Sequence, residues 1–355
     1  MMKEIGSEFW TEECVGTKKF RHVVFSKRSR GFLCGRGALD YIIRDAKQTI
    51  GFASVLLPSY CCHTMIEPFV RNGIRIRFYP VTVDENGLAC HFPYPQKEEA
   101  LYLMPYFGFG MHESYQLQTK RWKFCILDET HCCFSELPIS YADWNIKYTY
   151  VSYRKWSDIR GFAIANKIAD DFVLPYEEKY HNNYLTVKNQ ACMLKQAYIE
   201  KGVGDKQRFL NLYRQSEKML DSDYENYVSM REGVEVYERL DIDAIRQKRR
   251  ENGSFLMEAF GKMKGIRLLY HSLSGDCPLF IPILVEDGLR DGLRKYLIDN
   301  QIYCPVHWPQ SEYLVLQNSQ EKEIYEKELS VVCDQRYGLS DMQRIVQCIS
   351  RFLES

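Results

Sequence analysis

Ser152-Tyr153-Arg154-Lys155-Trp156 follows the apolar run of residues 148–151 (YTYV), and the reading of this chain turns on that stretch. Upstream, a second apolar run at residues 124–127 (FCIL) delivers Asp128, followed by Glu129-Thr130-His131. Both runs have the length of buried strands, so each places its polar residues just beyond a strand end. Taken singly, neither half is specific. A lysine after a strand is usually solvated, and an aspartate at a strand end often caps the next turn. The order of the two halves carries the information.

With 355 residues the chain can bury a large core, as one big domain or two. Charge is balanced, 47 basic against 47 acidic residues, which argues against nucleic acid or an anionic membrane as partner. No apolar stretch approaches the length of a membrane span, and residues 1–10 lack the apolar core of a signal peptide. A soluble, cytoplasmic protein is expected. Thirteen cysteines, an odd number, are scattered from Cys14 to Cys348, several inside apolar runs. That is how free thiols behave as small hydrophobes in a reducing compartment. The clusters Cys61-Cys62-His63 and His131-Cys132-Cys133 lack the spaced pairs of a structural zinc site, because adjacent side chains rarely converge on one tetrahedral ion. No metal is expected.

Outward from the two strands, apolar runs alternate with helical patterns. Residues 35–46 (GRGALDYIIRDA) read as a glycine-led helix with Leu39, Ile42 and Ile43 on one face. Strands are predicted over 53–57, 74–81, 100–104, 124–127, 146–151 and 161–165, with helices over 63–72 and 113–121 between them. Such alternation predicts a mainly parallel sheet covered by helices on both faces, with ligands beyond the strand ends. From residue 187 the chain becomes charged and helical in period through 235, and a helix is predicted over 241–263. The tail mixes a strand (278–285) and a strand-turn (302–309) with helices (289–300, 340–353). The expected organisation is an N-terminal segment (1–30), a large domain with long linking helices (31–235) and a smaller α+β domain (236–355).

A strand ending in Asp, then a strand ending in Ser-x-x-Lys, is the layout of a pyridoxal-phosphate (PLP) site. The lysine amine forms a Schiff base with the cofactor aldehyde, and the aspartate keeps the pyridine nitrogen protonated so that the ring accepts electrons. Gly35-Arg36-Gly37-Ala38 opens a helix whose unpaired N–H groups suit a phosphate, and Ser152 can donate to the same group. Arg154 and Arg160 are nearby cations. His131, three residues beyond Asp128, can reach the cofactor if the chain turns sharply there.

The segments 35–43 (GRGALDYII), 56–87, 101–110 (LYLMPYFGFG), 124–136 (FCILDETHCCFSE) and 151–167 (VSYRKWSDIRGFAIANK) stand in the order found in one family. So do 302–309 (IYCPVHWP) and 331–346 (VVCDQRYGLSDMQRIV). The chain resembles the fold-type-I PLP enzymes, and among them the DegT/StrS-type aminotransferases, which act mostly on keto-sugars. The resemblance implies a three-layer α/β/α large domain with a smaller C-terminal domain, PLP as cofactor, and a homodimer. It implies Lys155 as the Schiff-base lysine, Asp128 on the pyridine nitrogen and His131 near the phenolic oxygen. The backbone of Arg36, Gly37 and Ala38, with Ser152, would bind the phosphate. Where that family commonly has an aromatic residue stacked on the cofactor ring, this chain has Cys62, beside Tyr60 and His63. His307 and Arg336 are candidates for the substrate side, the arginine suiting a carboxylate. The implied activity is transfer of an amino group from an amino acid, glutamate being the expected donor, to a keto acceptor such as a keto-sugar. Dehydratase-like or desulfurase-like chemistry and a non-catalytic binding or regulatory role are the alternatives. Lys155 argues against the dehydratases, which lack it, and no single cysteine stands out for a desulfurase.

Overall fold

The computed structural model describes residues 4–10, 16, 19–136, 139–273, 275–286, 288–316 and 318–355. Cys14 and the first three residues lie outside the described residues. In chain order the elements are β1 (Ile5–Gly6), β2 (Ser29–Phe32), α1 (Gly35–Thr49), β3 (Ser54–Pro58), α2 (His63–Arg71) and β4 (Arg75–Tyr79). Next come β5 (Val81–Asp84), β6 (Gly87–Cys90), β7 (Glu99–Leu103), α3 (Tyr115–Thr119), β8 (Cys125–Asp128) and β9 (Ile146–Ser152). Then follow β10 (Ala163–Lys167), α4 (Asn182–Lys201), α5 (Lys206–Ser222), α6 (Arg231–Arg239), α7 (Ile242–Phe260) and β11 (Ile266–Leu268). The chain closes with β12 (Ile281–Val285), α8 (Arg290–Asp299), β13 (Ile302–Tyr303), α9 (Ser319–Lys327), β14 (Glu328–Val331) and α10 (Leu339–Leu353). Among the described residues, no helix is long and apolar enough to cross a membrane.

These elements form two compact units. The first combines Glu8–Ile50 with Tyr148–Asp241. In it β10 pairs antiparallel with both β2 and β9, setting Ala163 opposite Phe32 on one side and Ser152 on the other. Helix α1 packs on β2 and β10 because Leu39, Ile42, Ile43 and Ala46 recur at helical spacing and are almost fully buried. A buried carboxylate fixes that docking. Asp45 Oδ2 accepts from Tyr148 Oη of β9 at 2.8 Å and from Lys167 Nζ of β10 at 2.8 Å, and Oδ1 accepts from the Val173 N–H at 2.8 Å. The charged stretch after residue 187 is not one helix. Gly202, at φ 66°, ends α4 in the left-handed region, and Asp205 caps α5 by accepting from the Gln207 N–H. The two helices then close on each other through Ala191, Cys192, Phe209 and Tyr213.

The second unit contains Glu4–Ser7, Gly51–Lys147 and Ile242–Ser355. Four strands run parallel in the order β8-β7-β3-β4. Every residue of β3, β7 and β8 is buried, which is why they read as continuous apolar runs rather than alternating ones. The predicted strand over 74–81 is two elements. The chain leaves β4 at Pro80 and forms the antiparallel hairpin β5–β6, whose turn carries Asn86-Gly87 with Gly87 at φ 123°. Towards the C-terminus β11-β12-β14 form an antiparallel sheet on which α7 packs, and β1 pairs parallel with β13.

Replacing Asp45 by Ala leaves the Lys167 ammonium buried without its counter-charge. The expected loss of stability is about 3–5 kcal/mol, read from the denaturant midpoint. A loss below about 1 kcal/mol would show that the ion pair does not hold α1 in place.

Candidate active site

In the first unit, two glycines let the start of α1 come close to its surroundings. A Cβ on Gly35 would lie 3.1 Å from Ser152 Cβ and 3.6 Å from Ser152 Oγ. A Cβ on Gly37 would lie 2.9 Å from the Tyr224 carbonyl oxygen. The first turn of α1 therefore sits directly against the last residue of β9. Cys34 precedes the helix in extended conformation and makes no side-chain hydrogen bond of capping geometry. Its sulfur is near enough to the Arg36 and Gly37 N–H groups for them to favour a thiolate, but burial prevails and pushes the thiol up. The first-turn N–H groups and the Ser152 hydroxyl, donors of the kind an oxyanion takes, thus lie close together.

Lys155 ends a single 3-10 turn, Tyr153–Lys155, that follows Ser152. Both aromatic neighbours are buried: Tyr153 stacks on Phe162 at 5.0 Å, and Trp156 is wholly enclosed. The lysine is therefore presented from a backbone pinned on either side. Arg154 points to Glu217 at 3.0 Å, and Lys188 bridges Glu8 at 3.4 Å and Glu217 at 3.5 Å. Burial opposes ionisation of Glu217, yet Arg154 and Lys188, with Lys155 adding to them, hold its carboxyl below the usual range. The Arg36 guanidinium reaches Asp221 at 2.8 Å and lies over the Tyr224 ring, so Arg36 adds its backbone N–H to these donors. Arg160 is engaged by Asp158 and Asn189.

In the second unit, β8 ends at Asp128, which is 1 % exposed. Tyr102 Oη, on the neighbouring β7, donates to Oδ2 at 2.8 Å, and the Thr130 N–H donates to Oδ1 at 2.9 Å. The turn brings His131 back beside the strand ends. There the Phe107 N–H donates to Nδ1 at 3.4 Å, so a neutral His131 carries its proton on Nε2. The His131 ring lies 5.6 Å from Trp308 at 27° and 5.8 Å from His307 at 82°. Asp128, His131 and His307 thus belong to one unit, the two histidine rings in contact range of each other. Cys62 precedes α2 without a side-chain capping bond, and Thr64 Oγ1 donates to its sulfur at 3.2 Å. His63 stacks on Tyr313 and bonds Ser311. Tyr60 packs among Tyr106, Trp308 and Tyr325, its buried hydroxyl facing the Glu328 carboxyl. Arg336 grips Asp334 with two bonds of 2.9 and 2.8 Å and also donates to the Ser7 carbonyl.

Sequence reasoning missed Tyr102, which reads as an ordinary core residue inside LYL, and the aromatic wall around Tyr60 and Trp308. Trp308 was within reach, since it adjoins His307 in the HWP segment. The described cysteines are all free and nearly all buried. Burial pushes Cys61, Cys125 and Cys132 far up, which makes poor nucleophiles of them. No group of three or more His, Cys, Asp or Glu that could hold a metal ion occurs among the described residues.

No family model matches the chain, and no curated protein matches it in sequence. Solved structures do resemble it. The aminotransferase TlmJ from Streptoalloteichus hindustanus superposes with a TM-score of 0.64 at 12% identity, over 93% of this chain and 87% of that one. Helicobacter pylori PseC, an aminotransferase involved in the biosynthesis of pseudoaminic acid, gives 0.64 at 14% identity, over 92% and 86%. NtdA from Bacillus subtilis, with bound cofactor PMP, gives 0.62 at 12% identity, over 92% and 73%. The chain therefore has the fold of these proteins: α/β, with mainly parallel strands flanked by helices, as the alternation of its apolar runs implied.

Tyr102→Phe removes a hydroxyl donated to a buried carboxylate. A loss of about 1.5–3 kcal/mol is expected in equilibrium denaturation. An unchanged midpoint would mean that Tyr102 does not support Asp128.

Proposed function

We propose that the chain is a PLP-dependent aminotransferase that moves an amino group from an amino acid, with glutamate as first candidate, to a keto-sugar. The observation that carries this reading is the contact of the glycine-led α1 N-terminus with Ser152, three residues before Lys155. The donor set fits the cofactor. A Cβ at Gly35 would crowd the Ser152 side of a cradle rich in N–H and O–H donors, which matches a phosphate dianion. The buried Asp128 carboxyl suits a protonated ring nitrogen. The acceptor class is drawn from the relatives in structure, among them PseC with its role in pseudoaminic acid biosynthesis.

When bound, PLP supplies an electron sink for the carbanion formed at the amino acid α-carbon. The chain's own residues do the rest. The N–H groups of Arg36, Gly37 and Ala38 and the Ser152 hydroxyl bind the phosphate. Asp128, oriented by Tyr102 and by the Thr130 N–H, holds the proton on the pyridine nitrogen. His131, with Nδ1 engaged by Phe107, offers its Nε2–H to the phenolic oxygen. Lys155 Nζ binds the cofactor covalently at rest and moves the proton at the donor's α-carbon as general base and acid. The working form in this reading is a homodimer, since a cofactor at the edge of an open sheet needs a cover that excludes water.

The test is the half-reaction. Protein loaded with PLP and mixed with L-glutamate should lose its long-wavelength absorbance and release one 2-oxo acid per site. Asp128→Ala should still take up PLP while the half-reaction slows by about 10²–10³-fold. A wild-type rate in Asp128→Ala would remove that residue from the mechanism. Loaded protein inert to every amino donor would overturn the transferase reading.

A further inference from the structure

β14 opens with Glu328, Leu329 and Ser330, and strand alternation puts Glu328 and Ser330 on the same face. Neither has any exposed surface. Both are spent on one residue. Glu328 Oε2 accepts the backbone N–H of His307 at 2.8 Å, and Ser330 Oγ lies 2.8 Å from His307 Nδ1. The Ser330 hydroxyl and Glu328 Oε1 are themselves hydrogen-bonded. A single buried carboxyl thus holds His307 by its backbone and, through one serine, by its ring. The ring is enclosed by Phe107 at 5.7 Å, Phe280 at 5.0 Å, Trp308 at 5.3 Å and His131 at 5.8 Å.

We infer that Glu328 and Ser330 are positioning residues for His307, a three-member relay that decides which of its ring nitrogens carries the proton. A serine hydroxyl has one hydrogen, so it donates either to the carboxyl or to the imidazole. With Glu328 ionised, Ser330 donates to Oε1 and accepts from Nδ1–H, which leaves Nε2 as an acceptor. With Glu328 protonated, Oε1–H donates to Ser330 Oγ, Ser330 donates to Nδ1, and Nε2 carries the hydrogen. The Nε2 edge leaves the ring on the side away from Ser330. In the aminotransferase reading, on which only the catalytic consequence rests, this edge serves the substrate.

The surroundings let both states occur near neutrality. Burial pushes the Glu328 carboxyl up to about 8, against the opposing bonds from Ser330, the His307 N–H and the Tyr60 hydroxyl and the charge of Arg290. The titratable groups around it are Arg290, whose guanidinium donates to the Glu328 carbonyl at 3.1 Å, together with Tyr60, Cys304 and His307. Burial drives both Tyr60 and Cys304 upward, so neither ionises in this range. With the carboxyl raised to about 8, the relay predicts that Nε2 donates below that pH and accepts above it.

The experiment is nitrogen NMR of the full-length protein labelled in histidine, with the His307 signals assigned by His307→Gln. The signals should exchange from the Nε2–H to the Nδ1–H pattern as pH rises through about 8. Glu328→Gln keeps a permanent donor facing Ser330 and should show the Nε2–H pattern throughout. Ser330→Ala should abolish the coupled step. Circular dichroism confirms that both variants fold. In the loaded enzyme, Ser330→Ala should lower kcat on the order of tenfold, with KM within about twofold and the limb near pH 8 absent. One tautomer at all pH values, or the same exchange in Ser330→Ala as in wild type, would overturn the relay. A tautomer exchange in protein that never binds PLP would uphold the relay and sink the aminotransferase reading instead.

Discussion

The aminotransferase reading depends on how closely the first turn of α1 approaches the end of β9. That approach exists because Gly35 and Gly37 have no side chain: a methyl group at either would press on Ser152 or on the Tyr224 carbonyl. It is kept in place between two and three turns further along, where Asp45 joins the helix to Tyr148 of β9 and Lys167 of β10. A packing requirement and a buried ion pair together aim a helix N-terminus at a serine hydroxyl. In the proposed function, the partial positive charge of the helix end would bind the phosphate without any charged side chain being drawn into the cradle. Arg36 illustrates the separation, since its guanidinium is taken up by Asp221.

The same economy applies to the lysines of this unit. Lys167 is committed to Asp45, Lys188 to Glu8 and Glu217, and Lys195 to the Glu8 carbonyl. Lys155 lies near the same carboxylates, Glu217 and Glu8, and helps to hold both below the usual range. It terminates a turn held by the stacked Tyr153 and the enclosed Trp156, at a fixed offset from Ser152. In the other unit Asp128 has a comparable setting, at a strand end with both oxygens bonded.

Much of this could be read from the sequence, because it is local. Strand followed by Asp, strand followed by Ser-x-x-Lys, and glycine-led helix are patterns that each span only a few residues, and the buried parallel strands show as unbroken apolar runs. The edge strand Ser29–Phe32 was missed because SRGF has no apolar period and is recruited by pairing with β10. The hairpin at Asn86-Gly87 was a recognisable turn signal that the longer apolar run hid. The run after residue 187 kept its helical period across Gly202, so period alone did not show the break. Glu328 and Ser330 were beyond reach for a different reason. A charged residue and a serine alternating with leucine look like the wet face of a strand. Only the fold turns that face inward onto His307, a residue 21 positions away from Glu328.

The central claim is that one particular amine, that of Lys155, carries the cofactor. The direct measurement is reduction of PLP-treated protein with borohydride, followed by proteolysis and mass spectrometry of every lysine peptide. The account predicts a single stoichiometric pyridoxyl group, on Lys155. A label on any other lysine, or no stoichiometric label at all, would contradict it.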